Sequence, residues 1–196
     1  MLVIGDVHGH HADYLDLIDN AQYSVQVGDF GLSWDILTKA NVDPTKHRII
    51  GGNHDNYTLA HTFPHYLGDF GLVNHGGVTF FFVRGERSVD AYLRTENISW
   101  WRDEELDMAT AYNAVAAYEA SQPDIVISHG CPADVLPFFV TNPSKYHPSR
   151  TAQLLDSMLE IHRPKLWLFG HHHTSEVLTD RGTVFQCLNE LETVTI

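Results

Sequence analysis

The sequence is short of cysteine, of cations and of long apolar runs. Its two cysteines, Cys131 and Cys187, form no Cys-x-x-Cys pair. That excludes a disulfide framework and a cysteine-rich zinc site, and leaves two small buried hydrophobes of a reducing compartment. Twelve Lys and Arg stand against 25 Asp and Glu, a formal charge of -13 with histidine neutral. A chain this poor in cations does not track a long phosphate backbone by general electrostatics, so no extended nucleic-acid groove is expected. No apolar run approaches the roughly 20 residues that span a bilayer. The start, Met1-Leu2-Val3-Ile4-Gly5-Asp6, has no basic region and meets an acid at once, unlike a secretory leader. No membrane partner and a cytoplasmic location are therefore expected.

What the chain has in excess is histidine: 14 in 196 residues. Histidine is the commonest metal ligand and acid-base group, so the question is whether these are scattered or organised. Hydrophobic residues at 43% and aromatics at 11% suffice for an ordinary core. The length suits one domain over residues 1–196, with no repeat, linker or low-complexity segment.

Short apolar segments alternate with longer stretches of helical character. Strands are expected over residues 2–5, 23–27, 48–51, 78–83, 125–128 and 166–169, each β-branched or aromatic. Helices are expected over 11–20, 34–40, 103–121 and 150–162; the third opens on Asp-Glu-Glu, which suits a helix N-terminus. The tail reads as hairpin strands over 176–179, 183–188 and 193–195, with Asp180-Arg181-Gly182 as a turn. Such alternation predicts an α/β fold with parallel strands in the middle and antiparallel additions: two mixed sheets flanked by helices.

In open α/β sheets, function collects past the carboxyl ends of the strands. Five expected strands end on polar groups with glycine beside them. These are Asp6-Val7-His8, Gly28-Asp29, Gly52-Asn53-His54-Asp55, His129-Gly130 and Gly170-His171-His172-His173. In extended backbone, residues i and i+2 point the same way. Asp6 and His8 can then reach one ion together, as can His171 and His173, with Val7 and His172 turned away. The glycines are expected to let the backbone turn sharply. Taken singly, each group has an ordinary explanation: a turn at Gly28-Asp29, a helix cap at Asn53 or Asp55, a structural role for His129. Five in order, each after an expected strand, point to a site. Mixed Asp, Asn and His donors suit Mn, Fe or Zn. Seven such groups exceed one tetrahedral ion and suit two ions ~3.5–4 Å apart sharing a carboxylate.

In this order the five groups resemble the motif set of the calcineurin-like metallophosphoesterase superfamily, over residues 6 to 173. The resemblance implies a four-layer α/β/β/α sandwich. It implies that Asp6, His8, Asp29 and His173 hold one metal, and that Asn53, His129, His171 and the shared Asp29 hold the other. His54 would stand beside the leaving group as an acid or stabiliser, with Asp55 orienting it. The protein serine/threonine phosphatase branch continues its Gly-Asp motif with Asp-Arg-Gly. Here Phe30-Gly31-Leu32-Ser33-Trp34 follows, so the chain is more like compact bacterial or phage members.

The expected activity is hydrolysis of a phosphomonoester or phosphodiester by a hydroxide held between two divalent ions, manganese first and iron or zinc as alternatives. The substrate would be small, with a nucleotide as one candidate. A nuclease or cyclic-nucleotide phosphodiesterase on the same fold is the alternative, followed by a non-catalytic metal-binding module. Arg84, Arg87 and His10 are candidates for contact with substrate. Trp100-Trp101 is read either as a stacking platform or as a staple into the core. His11, His47, His61, His65, His75, His147 and His162 have no motif around them and are expected to be surface or structural.

Overall fold

The structure is a computed structural model that describes residues 1–142 and 149–196; His147 lies outside the described residues. In chain order the elements are β1 (Leu2–Ile4), α1 (His11–Asp19), β2 (Ser24–Gln26), α2 (Asp35–Lys39), β3 (His47–Ile49), α3 (Tyr57–Ala60), β4 (Phe70–His75), β5 (Val78–Val83), α4 (Met108–Ser121), β6 (Ile125–Ser128), α5 (Arg150–Ile161), β7 (Leu166–Phe169), β8 (Glu176–Asp180), β9 (Thr183–Cys187) and β10 (Thr193–Thr195).

The strands form two mixed sheets. The first runs β10-β1-β2-β3 and the second β4-β5-β6-β7-β9-β8. β1, β2 and β3 are mutually parallel, and β10 adds antiparallel to β1. β5, β6, β7 and β9 are parallel, with β4 and β8 antiparallel at the edges.

Strand alternation builds the layers. Phe80 and Phe82 point between the sheets, where they meet Val3, Val25, Val27, Ile127 and Leu168. Phe81 and Val83 point the other way, onto Ala114 and Tyr118 of α4 and Leu155 and Met158 of α5. Ile4 and Ile49 of the first sheet face Tyr14, Ile18, Leu37 and Tyr57 of α1, α2 and α3. Each fully buried Phe, Leu or Ile contributes about 1.5–3 kcal/mol, so three apolar seams bind four layers. The α/β/β/α sandwich is the fold expected.

Three local expectations need correction. α4 begins at Met108, because the Asp107 side chain accepts from the Thr110 N–H and caps the helix there. Ahead of it, Glu104 and Glu105 make side-chain contacts instead, and Asp103 offers its carbonyl to Arg84. The last strand of the tail does not join the 176–187 hairpin; it crosses to β1 of the other sheet. β4 and the short α3 have no counterpart in the expected elements. β4 is a partly exposed edge strand, joined to β5 through Gly76-Gly77, both at positive φ.

Candidate metal centre

Parallel strands bring their carboxyl ends to one edge, and the facing sheets bring two such edges together. β1 leads into Asp6 and His8, β2 into Asp29, and β3 into Asn53 and His54. From the second sheet, β6 leads into His129, and β7 into His171 and His173.

Two groups of donors result. Asp6, His8, Asp29 and His173 form one, Asp29, His129 and His171 the other; within each, one donor atom per residue lies within 4.8 Å of the rest. In the first, His8 Nε2 is 3.6 Å from both Asp6 Oδ2 and Asp29 Oδ2. His173 Nε2 is 3.2 Å from Asp6 Oδ2 and 2.9 Å from His8 Nε2. In the second, Asn53 Oδ1 lies 2.9 Å from His129 Nε2 and 2.8 Å from His171 Nδ1. Asp29 Oδ1 is 3.4 Å from His129 Nε2. Asp29 belongs to both groups. His54 Nε2 stands 3.9 Å from Asp29 Oδ2, its ring 5.1 Å from that of His8.

The donor set fits divalent cations. His129 is fully buried, and desolvation keeps it neutral. Its Nδ1–H donates to the Val27 carbonyl at 3.1 Å, which leaves the Nε2 lone pair facing the oxygens of Asn53 and Asp29. Only a proton or a metal ion can sit among lone pairs that converge in this way. His173 is set likewise, its Nδ1 3.3 Å from Glu190 Oε1 and its Nε2 toward Asp6. A carboxylate behind a ligating imidazole fixes its tautomer and raises its basicity.

Protons hold the metal-free cluster together. Burial opposes charge on His8, but its Asp6 hydrogen bond and the Asp29 and Asp6 charges overcome it and raise the pKa to about 9. Burial, with Asp6 beside it, pushes Asp29 up to about 8. Burial also acts to raise Asp6, yet the surrounding His129, His173 and His8 hold it well below the usual carboxylate range. The pair thus retains one proton where ions would put positive charge.

The backbone reaches this arrangement differently from the expected alternation. His8, Asp29, His171 and His173 all have positive φ, between 47° and 63°. Asp6 and His8 converge around a turn rather than along a strand. Val7 is buried in the helix-side core, away from the cluster, and His172 lies against Cys131 and Phe169 with its ring 4.8 Å from that of His171. His171 and His173 fall in different donor groups, as the resemblance implies and unlike the shared position that the spacing suggests: strained turns send one to each group. The left-handed region costs a non-glycine residue roughly 1–2 kcal/mol. The glycines make room as much as they turn the chain. A Cβ on Gly170 would come 2.0 Å from Asp6 Oδ1, and one on Gly52 would come 2.2 Å from Asp29 Oδ1.

Several candidate residues have other tasks. Asp55 accepts from the N–H groups of Gly31 at 2.8 Å, Gly52 at 2.8 Å and Phe30 at 3.3 Å. It clamps the loop after β2 to the loop after β3, rather than orienting the His54 ring. Arg84 is buried with its guanidinium 3.7 Å above the Tyr57 ring, and it donates to Asp69 and to the Asp103 carbonyl, so it is not open to substrate. Arg87 is exposed and stands outside the cleft beside the site, as does His10, 3.8 Å from Asp13 at the start of α1. His11 lines that cleft instead. Trp101 is buried in the cleft wall.

Four partners of the site carry no motif. The Arg94 guanidinium lies against both ring nitrogens of His54, donating to the unprotonated one, and is held by Asp90 Oδ1 at 2.7 Å and the Ser99 carbonyl at 3.2 Å. Burial and this guanidinium lower the His54 pKa to about 3. Ser88 Oγ accepts from Asn53 Nδ2 at 2.9 Å and donates to Glu104 Oε2 at 2.6 Å. Glu190 backs His173. The Asp90–Arg94 spacing of four is the only one of these visible as a pattern, and in sequence it reads as an ordinary helix-surface pair.

The calcineurin-like phosphoesterase profile matches residues 1–175. No curated protein matches the chain. Among solved structures, the phosphopantetheinyl hydrolase of Mycobacterium tuberculosis aligns over 96% of this chain and 89% of its own, at 13% identity and a TM-score of 0.53. A Plasmodium protein, the anchor in the inner membrane complex, aligns over 100% and 77%, at 11% identity and a TM-score of 0.52. At such identities these two share the fold alone, whereas the profile spans all five strand-end motifs. The chain belongs to the calcineurin-like phosphoesterase family, metal-dependent hydrolases of phosphoric esters.

Proposed function

We propose that this hydrolase is dinuclear. Asp6, His8, Asp29 and His173 hold one divalent ion, and Asn53, Asp29, His129 and His171 hold the other, with manganese the first choice and iron or zinc next. The observation that carries the reading is the pair of donor groups that share Asp29. When bound, the ions supply a water acidified toward neutrality and a countercharge for phosphoryl oxygens.

The remaining work falls to the chain. Asp29 and Asp6 are both buried, so bulk water screens their charges little. His54 stands on the leaving-group side. Its low pKa leaves a neutral imidazole at pH 7, so Arg94 is the positive charge available to a developing oxyanion there, with His54 as the hydrogen-bonding partner between. The substrate is a small phosphomonoester or phosphodiester.

The test is a paired assay. Protein stripped of metal is titrated with Mn, its metal content measured, and activity read on p-nitrophenyl phosphate, bis-p-nitrophenyl phosphate and a nucleotide panel. Two equivalents and turnover of at least one ester class are expected. A single equivalent with no turnover of any phosphoester would refute the dinuclear hydrolase.

A further inference from the structure

Beside the metal centre lies a cleft of about 390 Å³, open to His8 and His54. A volume of this order accepts a ring system rather than a polymer. Its walls come from the loop after β2, through Leu32 and Ser33, and from the 94–101 segment, through Arg94, Ile98, Ser99 and Trp101.

Two features define its chemistry. Leu32 and Ile98 are 55% and 65% exposed, so apolar side chains stand free at the mouth of a polar site instead of packing beneath it. Among the described residues lining the cleft, Arg94 is the only Lys or Arg and no acid is present. That guanidinium is already tied to Asp90 and turned onto His54. The outer part of the cleft therefore offers no free cation to a second phosphate and no carboxylate to an amine. Beside the neutral polar groups of Ser33 and Ser99, it offers apolar contact from Leu32 and Ile98.

Resting on the dinuclear reading, we infer that this cleft is the leaving-group subsite and that it selects phosphoesters of uncharged apolar or aromatic alcohols, with Leu32 and Ile98 reading the group. The ester oxygen sits at His54 and Arg94, and the carbon skeleton extends outward between the two aliphatic side chains.

The experiment compares phenyl with 2-naphthyl esters, whose leaving groups are of similar acidity, as monoesters and as methyl diesters. It is run with Mn-loaded native protein, a Leu32→Ser/Ile98→Ser double variant and a Val177→Ser control on an exposed face of β8. Burying the second ring should raise kcat/KM about tenfold in native protein and in the control. The double variant should lose most of that ratio while keeping the native melting temperature, as substitutions at exposed positions allow. Calorimetric binding of 2-naphthylmethylphosphonate against benzylphosphonate should show the same preference and the same loss. Equal rates and equal binding of the two rings in native protein, or a preference that survives the double substitution, would overturn the subsite while leaving the hydrolase standing. Failure of every ester to turn over would remove both.

Discussion

Replacing Ser88 with alanine should weaken one metal ion and spare the other. Asn53 presents Oδ1 to the site because its Nδ2 donates to Ser88 Oγ, whose own proton is given to Glu104. A reversed amide would set its oxygen against a hydroxyl oxygen with no proton left to offer. Ser88→Ala removes both the acceptor and that repulsion. The reversed amide then directs Nδ2 at His129 Nε2 and His171 Nδ1, atoms 2.9 and 2.8 Å from the present oxygen. Two hydrogen bonds at ~1 kcal/mol each would favour this orientation in the metal-free protein.

Metal affinity then falls by the fraction of molecules left competent, about 30-fold for ~2 kcal/mol. Following free Mn by electron paramagnetic resonance should show one ion bound as in native protein and one bound about 30-fold more weakly. Activity should return at high Mn. Ser88→Thr, which keeps the hydroxyl, should restore the native titration. Two unchanged binding steps in the alanine variant would refute the orienting role, and equal weakening of both would point to general disruption.

The metal-free protein should lose stability as pH rises from 7 to 9. His8 at about 9 and Asp29 and Glu86 at about 8 all have folded pKa values above their ordinary ones. The folded state therefore holds more protons than the unfolded one in this window, and the stability they confer is lost as pH rises through those values. Differential scanning calorimetry should show Tm falling in metal-free protein, and Mn binding should release protons, read from the dependence of the calorimetric enthalpy on buffer; a rising Tm would contradict the assignment. Arg94→Met should raise the His54 pKa from about 3 toward its ordinary value, seen by NMR titration, and lower kcat by about 100-fold with little change in Mn affinity. Unaltered kcat would place Arg94 outside the reaction.

The layers were legible in sequence because alternation within a strand and apolar spacing within a helix are local properties. Residues 78–83, 125–128 and 166–169 were bounded as strands and are strands to the residue. The seven residues that the structure brings together were legible because each follows a strand, where parallel topology must gather them. What escaped depends on distant partners. The Asp103-Glu104-Glu105 run looks like a helix start, yet Glu104 reaches Ser88 and Glu105 accepts from the Thr151 N–H of α5. Arg84 looks like a loop cation but is enclosed by Tyr57, Asp69 and Asp103. Arg94 lies in a segment without periodic pattern and meets His54 across 40 residues. The division of His171 from His173 came only with the family resemblance, because spacing alone cannot distinguish an extended pair from two residues in left-handed turns.

Those turns bear on why the site and the fold are hard to separate. Four non-glycine residues in the left-handed region, at roughly 1–2 kcal/mol each, oppose folding by an amount comparable to a substantial part of a domain's net stability. Two carboxylates with essentially no exposure add a desolvation cost. The opposing contributions are local as well: Asp55 binds three backbone N–H groups, Asp29 accepts from the His54 N–H at 2.7 Å, and Asp6 accepts from the His171 N–H at 3.0 Å. The strained loops are thus tied to one another through the side chains of the cluster, not merely beside it. Protons on His8 and Asp29 neutralise the repulsion that remains. Two cations in their place would serve the same bonds with more charge and no loss of the carboxylates' acceptor capacity. A centre of this kind is pre-organised because the carboxylates that would bind the metals already hold the loops in place through other lone pairs.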